Sequence, residues 1–203
     1  MKQILKQTLS ASIERHPLQP FLPEGAKILM LGSFPPKQEK WSMQWFYPNW
    51  INDMWRLMGL IFYDDNKNHF EIIGEKRFDK DSIVKFCTEK RIALYDTASE
   101  VRRLKDNASD KFLEVVKATD IKSLLDKIPE CQAIVTTGQK ATDIIINTFS
   151  CEEPPIGQYS EFKSADRNMR FWRMPSSSRA YPLALSKKAE YYRQMFISEN
   201  ILQ

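Results

Sequence analysis

Four short apolar runs punctuate the chain, and each stops at a turn-forming or hydroxylated residue. KILML (27–31) ends at Gly32-Ser33, IALYD (92–96) at Thr97, AIVTT (133–137) at Gly138 and MRFWRM (169–174) at Pro175. Runs this short without polar alternation fit strands buried on both faces. Between them, apolar residues return at helical spacing. Trp50, Ile51, Met54, Trp55, Leu57, Met58 and Ile61 predict a helix from Asn49 to Phe62, with Asn49 as its N-cap after Pro48. Ser82 is placed to cap a second helix through Ile83, Phe86 and Cys87. Ile121, Leu124, Leu125 and Ile128 mark a third, stopped by Pro129. Ala141, Ile144, Ile145 and Phe149 line a fourth, and Ser186 opens a closing helix through Ala189, Tyr192, Met195 and Phe196. Leu5, Leu9 and Ile13 predict an amphipathic helix over 2–15, after which Pro17, Pro20 and Pro23 keep the chain extended to Gly25. Segments 63–78, 97–112 and 150–168 read as loops.

Strand and helix thus alternate four times. That order predicts a three-layer α/β/α fold around a central four-stranded parallel sheet, as one domain over 1–203 with 1–25 as a helical arm packed on it. A chain of this length buries roughly 70% of its unfolded surface and needs no disulfide to hold a core. In open parallel sheets, ligands bind beyond the carboxyl ends of the strands. Here those ends carry Gly32-Ser33-Phe34-Pro35-Pro36, Tyr95-Asp96-Thr97, Thr137-Gly138-Gln139 and Pro175-Ser176-Ser177-Ser178.

Charge changes this picture only slightly. Thirty Lys+Arg against 26 Asp+Glu give +4, which tolerates a polyanionic partner without demanding one. Basic residues gather as Arg167, Arg170, Arg173 and Arg179, and again as Arg102, Arg103 and Lys105. Cys87, Cys131 and Cys151 form no CxxC pair, which argues against zinc and iron–sulfur sites; free thiols fit a reducing cytoplasm. The first residues lack a cleavage signature, and no run approaches the ~20 apolar residues of a membrane span.

Three segments carry candidate chemistry. GSFPPK (32–37) matches neither phosphate-loop pattern; Gly32 and Ser33 present backbone N–H groups to an oxyanion, or form a plain tight turn. In QWFYPNWINDMW (44–55), rings stand beside Asn side chains: Phe46 or Tyr47 suits stacking on a planar base, and Asn52 either caps the helix or reads a base edge. Trp50 and Trp55 read as core. RMPSSSRAYP (173–182) offers serines and Arg179 to phosphate oxygens, or is a polar connection with a serine cap. His16, before Pro17, reads as an exposed linker residue and His69 as part of a polar loop; with neither at a strand end, no Ser-His-Asp arrangement is expected.

Together these segments resemble the uracil-DNA glycosylase superfamily, in order, over about residues 26–195. ILMLGSFPP (28–36) resembles its first motif. FYPNWINDMWRLMG (46–59) looks like its Pro-x-x-Asn-x-Phe-Trp stretch, with Asn52, Met54 and Trp55 in the last three places and Pro48 one residue too far upstream. IALYDTASEVRR (92–103) and IVTTGQKA (134–141) resemble its second and third strand segments, and RMPSSS (173–178) its second motif. Two positions depart. The first motif lacks the Asp or Asn that positions water, and Met174 replaces the His or Asn before Pro-Ser. Both departures are closer to the hypoxanthine-DNA glycosylase and mismatch-specific branch.

The resemblance implies a monofunctional glycosylase that removes a deaminated base, uracil or hypoxanthine, from DNA as a monomer, with no metal or organic cofactor. It implies Asn52 as the principal catalytic residue, with Ser33; Asp96, at the second strand end, is either a substitute base or a structural strand-end cap. Gly32, Phe34, Pro35, Phe46, Tyr47, Asn49, Thr137 and Gly138 would contact the flipped nucleotide. Pro175, Ser176, Ser177 and Ser178 would hold phosphates, and Arg179 or Tyr181 would fill the vacated stack. The alternatives are a weak or inactive DNA- or nucleotide-binding module on the same fold, and an enzyme of free nucleosides or small phosphorylated ligands.

Overall fold

In the computed structural model, which describes residues 12–104 and 112–202, the four apolar runs become four parallel strands. They are β2 (Ile28–Gly32), β3 (Ile92–Asp96), β6 (Ala133–Thr136) and β8 (Arg167–Arg173). Ile28, Leu29, Leu31, Ala93, Ala133, Ile134, Val135 and Phe171 are wholly buried, as continuous apolar runs require in a sheet covered on both faces. The order is β3-β2-β6-β8, with one further strand, β7 (Gln158–Ser164), antiparallel on the edge beside β8.

The helices are α1 (Met54–Phe62), α2 (Lys80–Glu89), α3 (Ile121–Asp126), α4 (Gln139–Phe149) and α5 (Leu185–Ser198). Phe62 of α1 joins Phe86 of α2 and Phe196 of α5, each at 5.0 Å between ring centroids. Phe149 of α4 packs on Phe162 of β7. No described helix is long and apolar enough to cross a membrane.

Several expectations are corrected. The segment 97–112 is not a loop throughout: β4 (Ala98–Arg103) pairs antiparallel with β5 (Leu113–Ala118) and with β1 (Ile13–Arg15), making a separate three-stranded sheet. Residues 13–15 are therefore strand rather than the end of a helix, and Ser12 before them is not helical; the rest of the expected 2–15 helix, residues 2–11, lies outside the described residues, as does Lys105. The segment 150–168 contains β7. β4 and β7 are mostly polar and bury only two residues each, so neither carries a continuous apolar run. Segment 63–78 is irregular but anchored, because Phe70 and Phe78 are buried in the main core.

Helix starts also move. Asn49 belongs to a turn, and α1 begins after Asp53. Asp79, not Ser82, caps α2 by accepting from the Asp81 and Ser82 N–H groups. Ala184 precedes α5 without a side-chain cap.

Register aligns the strand ends. Gly32 lies beside Asp96, Leu31 beside Thr136, and Thr136 beside Arg173. The chain runs from β2 to β3 on one side, then crosses back to β6 on the other. Such a reversal opens a crevice at the carboxyl ends, between β2 and β6.

Candidate functional site

A cavity of about 490 Å³ occupies that crevice. Of the residues expected from sequence, it is lined by Gly32, Ser33, Phe34, Pro35, Phe46, Tyr47, Asn49, Asn52, Asp96, Thr137, Gly138, Ser176, Ser177, Ser178 and Tyr181. Pro175 and Arg179 are not among its lining residues. Pro175 is buried and its carbonyl accepts from the Tyr192 hydroxyl at 2.9 Å. Arg179 is turned into an ion pair with Asp53 at 2.9 Å.

The aromatic segment and the last loop are joined across the cavity mouth by main chain. Asn52 bridges Ser178, and the Asp53 N–H donates to the Ser177 carbonyl at 2.9 Å. Beneath this clasp, the buried Asp53 carboxylate faces Arg179, Arg56 and Lys188, the last two each at 3.8 Å. Lys188, with a side chain only 1% exposed, also donates to the Ser178 carbonyl at 2.8 Å. Burial lowers the pKa of Lys188, and Asp53 opposes the shift. Arg56 is braced by Glu71 at 2.7 Å and lies 4.4 Å over the Trp50 ring.

Asn52 shapes the turn into α1 and also lines the cavity. Its Oδ1 accepts from the Met54 N–H at 2.9 Å, two residues on, just ahead of the N-cap Asp53. Because an N–H is the donor, the amide orientation is fixed, and the NH₂ group is the end left to the cavity. Asn49 is used locally, its Oδ1 accepting from the Ile51 N–H at 3.1 Å. Phe46 is nearly buried, packed among Trp45, Tyr95 and His16. Tyr47 has a left-handed backbone (φ 48°), and its hydroxyl meets Thr137 Oγ1 at 3.3 Å across the switch point. Burial pushes its phenol well up, so it stays protonated. Ser177 is buried, and the Ser176 and Ser178 hydroxyls accept from the N–H groups of Ser178 and Ala180.

The largest departure from expectation is His16. It is not an exposed linker residue: its side chain is 1% exposed, and Nε2 lies 2.8 Å from Asp96 Oδ2. The ring sits against Tyr95 at 4.6 Å and Phe34 at 5.3 Å. His69, by contrast, stacks on Tyr63 in the anchored loop, away from the cavity lining. Sequence reading also missed Arg103 and Leu113, which the small sheet contributes to the lining. Arg103 is held by Glu14 at 2.9 Å and donates to the Pro35 carbonyl at 2.6 Å. No local signal marks these residues, because their partners lie far away in the chain. Among the described residues, no cluster of His, Cys, Asp and Glu could hold a metal.

Among solved structures, the chain is similar to the solution NMR structure of a "putative Uracil DNA glycosylase" from Methanosarcina acetivorans, with 23% identity and a TM-score of 0.59. The match covers 91% of this chain and 99% of that one. The fold is uracil-DNA-glycosylase-like. No protein-family model and no curated protein matches the sequence. In this glycosylase-like fold the small sheet β1-β4-β5 closes one side of the cavity. Its own apolar core is Ala98, Val101 and Leu113, with Phe34 of the first loop inserted among them.

Proposed function

We propose that this protein is a DNA glycosylase that hydrolyses the N-glycosidic bond of a deaminated base, uracil or hypoxanthine, flipped into the cavity at the strand ends. The observation that carries the reading is the meeting of Asn52, Asp96 and the aromatic wall of Phe46 and Tyr47 in one cleft at the topological switch point. The fold shared with the Methanosarcina acetivorans protein supports it.

Flipping costs a few kcal/mol, least for a mispaired base. The pocket then needs a stacking face, donors for the base edge and an acceptor for the proton of water. Phe46 and Tyr47 supply the face. The Asn52 NH₂ group, oriented by the Met54 bond, donates to the departing base. Ser33, Phe34 and Gly32 approach the base from the first loop, with Pro35 stiffening it, while Asn49, Thr137 and Gly138 bound the nucleotide. The loop of Pro175, Ser176, Ser177 and Ser178 follows the backbone phosphates, chiefly through Ser176 and Ser178. Tyr181 enters the vacated stack. Arg179, engaged by Asp53, acts by stiffening that loop. Asp96 takes the place of the acid absent from the first loop.

Single-turnover base release from short duplexes carrying uracil, hypoxanthine or a G·T mismatch tests the reading. Asn52→Ala is expected to slow release ~10²–10³-fold, the cost of losing one preorganised donor. It should also cost about 1 kcal/mol through the lost hydrogen bond to the Met54 N–H. Duplex binding without release from any substrate would leave a binding module on the same fold.

A further inference from the structure

We infer that His16 is a positioning residue for this reaction: through its Nε2–H it orients the Asp96 carboxylate as the acceptor of the proton that the attacking water gives up. The inference rests on the glycosylase reading above.

Both ring nitrogens of His16 are committed. A carboxylate can only accept, so the proton between His16 and Asp96 belongs to Nε2. On the other side Nδ1 lies 3.2 Å from the Leu18 N–H and 3.0 Å from the Leu18 carbonyl. The neutral ring accepts from the first, and the imidazolium donates to the second. The ring is therefore held in the same place whichever charge it carries. Buried and hydrogen-bonded on both edges, it cannot reach a substrate and acts only through Asp96.

Asp96 has the exposure that His16 lacks. Its side chain is 12% exposed, it lines the cavity, and it ends β3 beside Gly32. A Cβ at Gly32 would collide with Asp96 Oδ1, so the carboxylate lies directly against the first loop. Thr119 holds the Asp96 carbonyl at 2.8 Å. The charged and titratable groups around the pair are Tyr95, packed on the imidazole, Tyr47, whose phenol feels the Asp96 charge, and Arg103 across the Phe34 ring, already locked to Glu14.

The arm that carries His16 is built to deliver it. The His16 N–H donates to the Ser99 carbonyl at 2.9 Å, at the end of the β1–β4 pairing. Phe21 and Leu94 then exchange two main-chain bonds, fixing the arm along the free edge of β3. His16 lies between these anchors.

In the step itself, the C1′–N bond breaks and its electron pair leaves on the base. The water oxygen bonds to C1′, one water proton passes to Asp96, and the departing base recovers a proton from Asp96 or solvent. The products are the free base and an abasic deoxyribose.

The test compares single-turnover release and duplex affinity in the full chain and its variants, with melting temperature as a check on folding. Asp96→Asn should slow release ~10²–10⁴-fold. His16→Ala should slow it by up to ~10²-fold, as misplacing a reacting group does, with duplex affinity within about twofold. His16→Gln, which restores an N–H donor to Asp96, should recover most of the rate. Wild-type rate in His16→Ala, or in Asp96→Asn, overturns the inference and leaves the glycosylase reading standing. So does equal loss of rate and affinity in both His16 variants, which marks a structural role. No release by the wild-type chain from any duplex overturns the reading and the inference together.

Discussion

Asn52 holds a structural and a candidate chemical position at once: its oxygen fixes the turn that leads into α1, and that bond leaves its nitrogen to the cavity. Legibility at this scale depended on how far away the partner lies. The Asn52 choice between cap and ligand contact was visible because Met54 is two residues on. The His16–Asp96 pair was not, because nothing near His16 announces a carboxylate 80 positions later. The Arg179–Asp53 pair was hidden for the same reason, Asp53 lying 126 residues earlier. Gly32 adds a prediction here. In Gly32→Ala the new methyl would displace Asp96 Oδ1. Base release should fall at least ~10-fold, and overpacking should cost about 1–3 kcal/mol, read by single-turnover kinetics and urea unfolding.

Elements buried on both faces were legible, and one-sided elements were not. ILMLG and AIVT read as strands because neither face meets water. QYSEFKS of β7 and ASEVRR of β4 carry too many polar residues for such a signal, and only their pairing with β8 and β5 makes them strands. Helix bodies were legible from spacing, while their starts depended on which acid or amide reaches back to the main chain. The α2 cap supplies a prediction. Hydrogen bonds from Ser82 hold the Asp79 carboxyl below its ordinary pKa of 3.8. A carboxylate with a depressed folded pKa stabilises fully above its unfolded pKa and loses that contribution as pH falls through the folded value. Asp79→Ala should therefore cost about 1 kcal/mol at neutral pH and progressively less than that below pH ~4, measured by denaturant unfolding at both pH values.

For the whole molecule, the basic clusters seen in the sequence are largely spent on the fold. Arg167 donates to the Leu125 and Ile128 carbonyls, Arg170 pairs with Glu199, and Arg173 with Glu153. On the proposed glycosylase reading, duplex recognition then falls to the few groups at the cavity rim, and its electrostatic share should be small. Log affinity against log salt is expected to have a slope shallower than about −4, at roughly −0.9 per phosphate neutralised, measured by fluorescence anisotropy. A much steeper slope would mean that a wider cationic face meets the DNA.

The arm along β3 has a consequence for the chain as it is made. His16 leaves the ribosome long before Asp96 exists, and β1 cannot pair until β4 has followed it out. At ~5–20 residues per second, the 80 residues from Pro17 to Asp96 take roughly 4–16 seconds to synthesise. Through that interval the nascent chain carries its first loop without Asp96 beside it, so the pocket proposed to break the glycosidic bond is not assembled on a half-made protein.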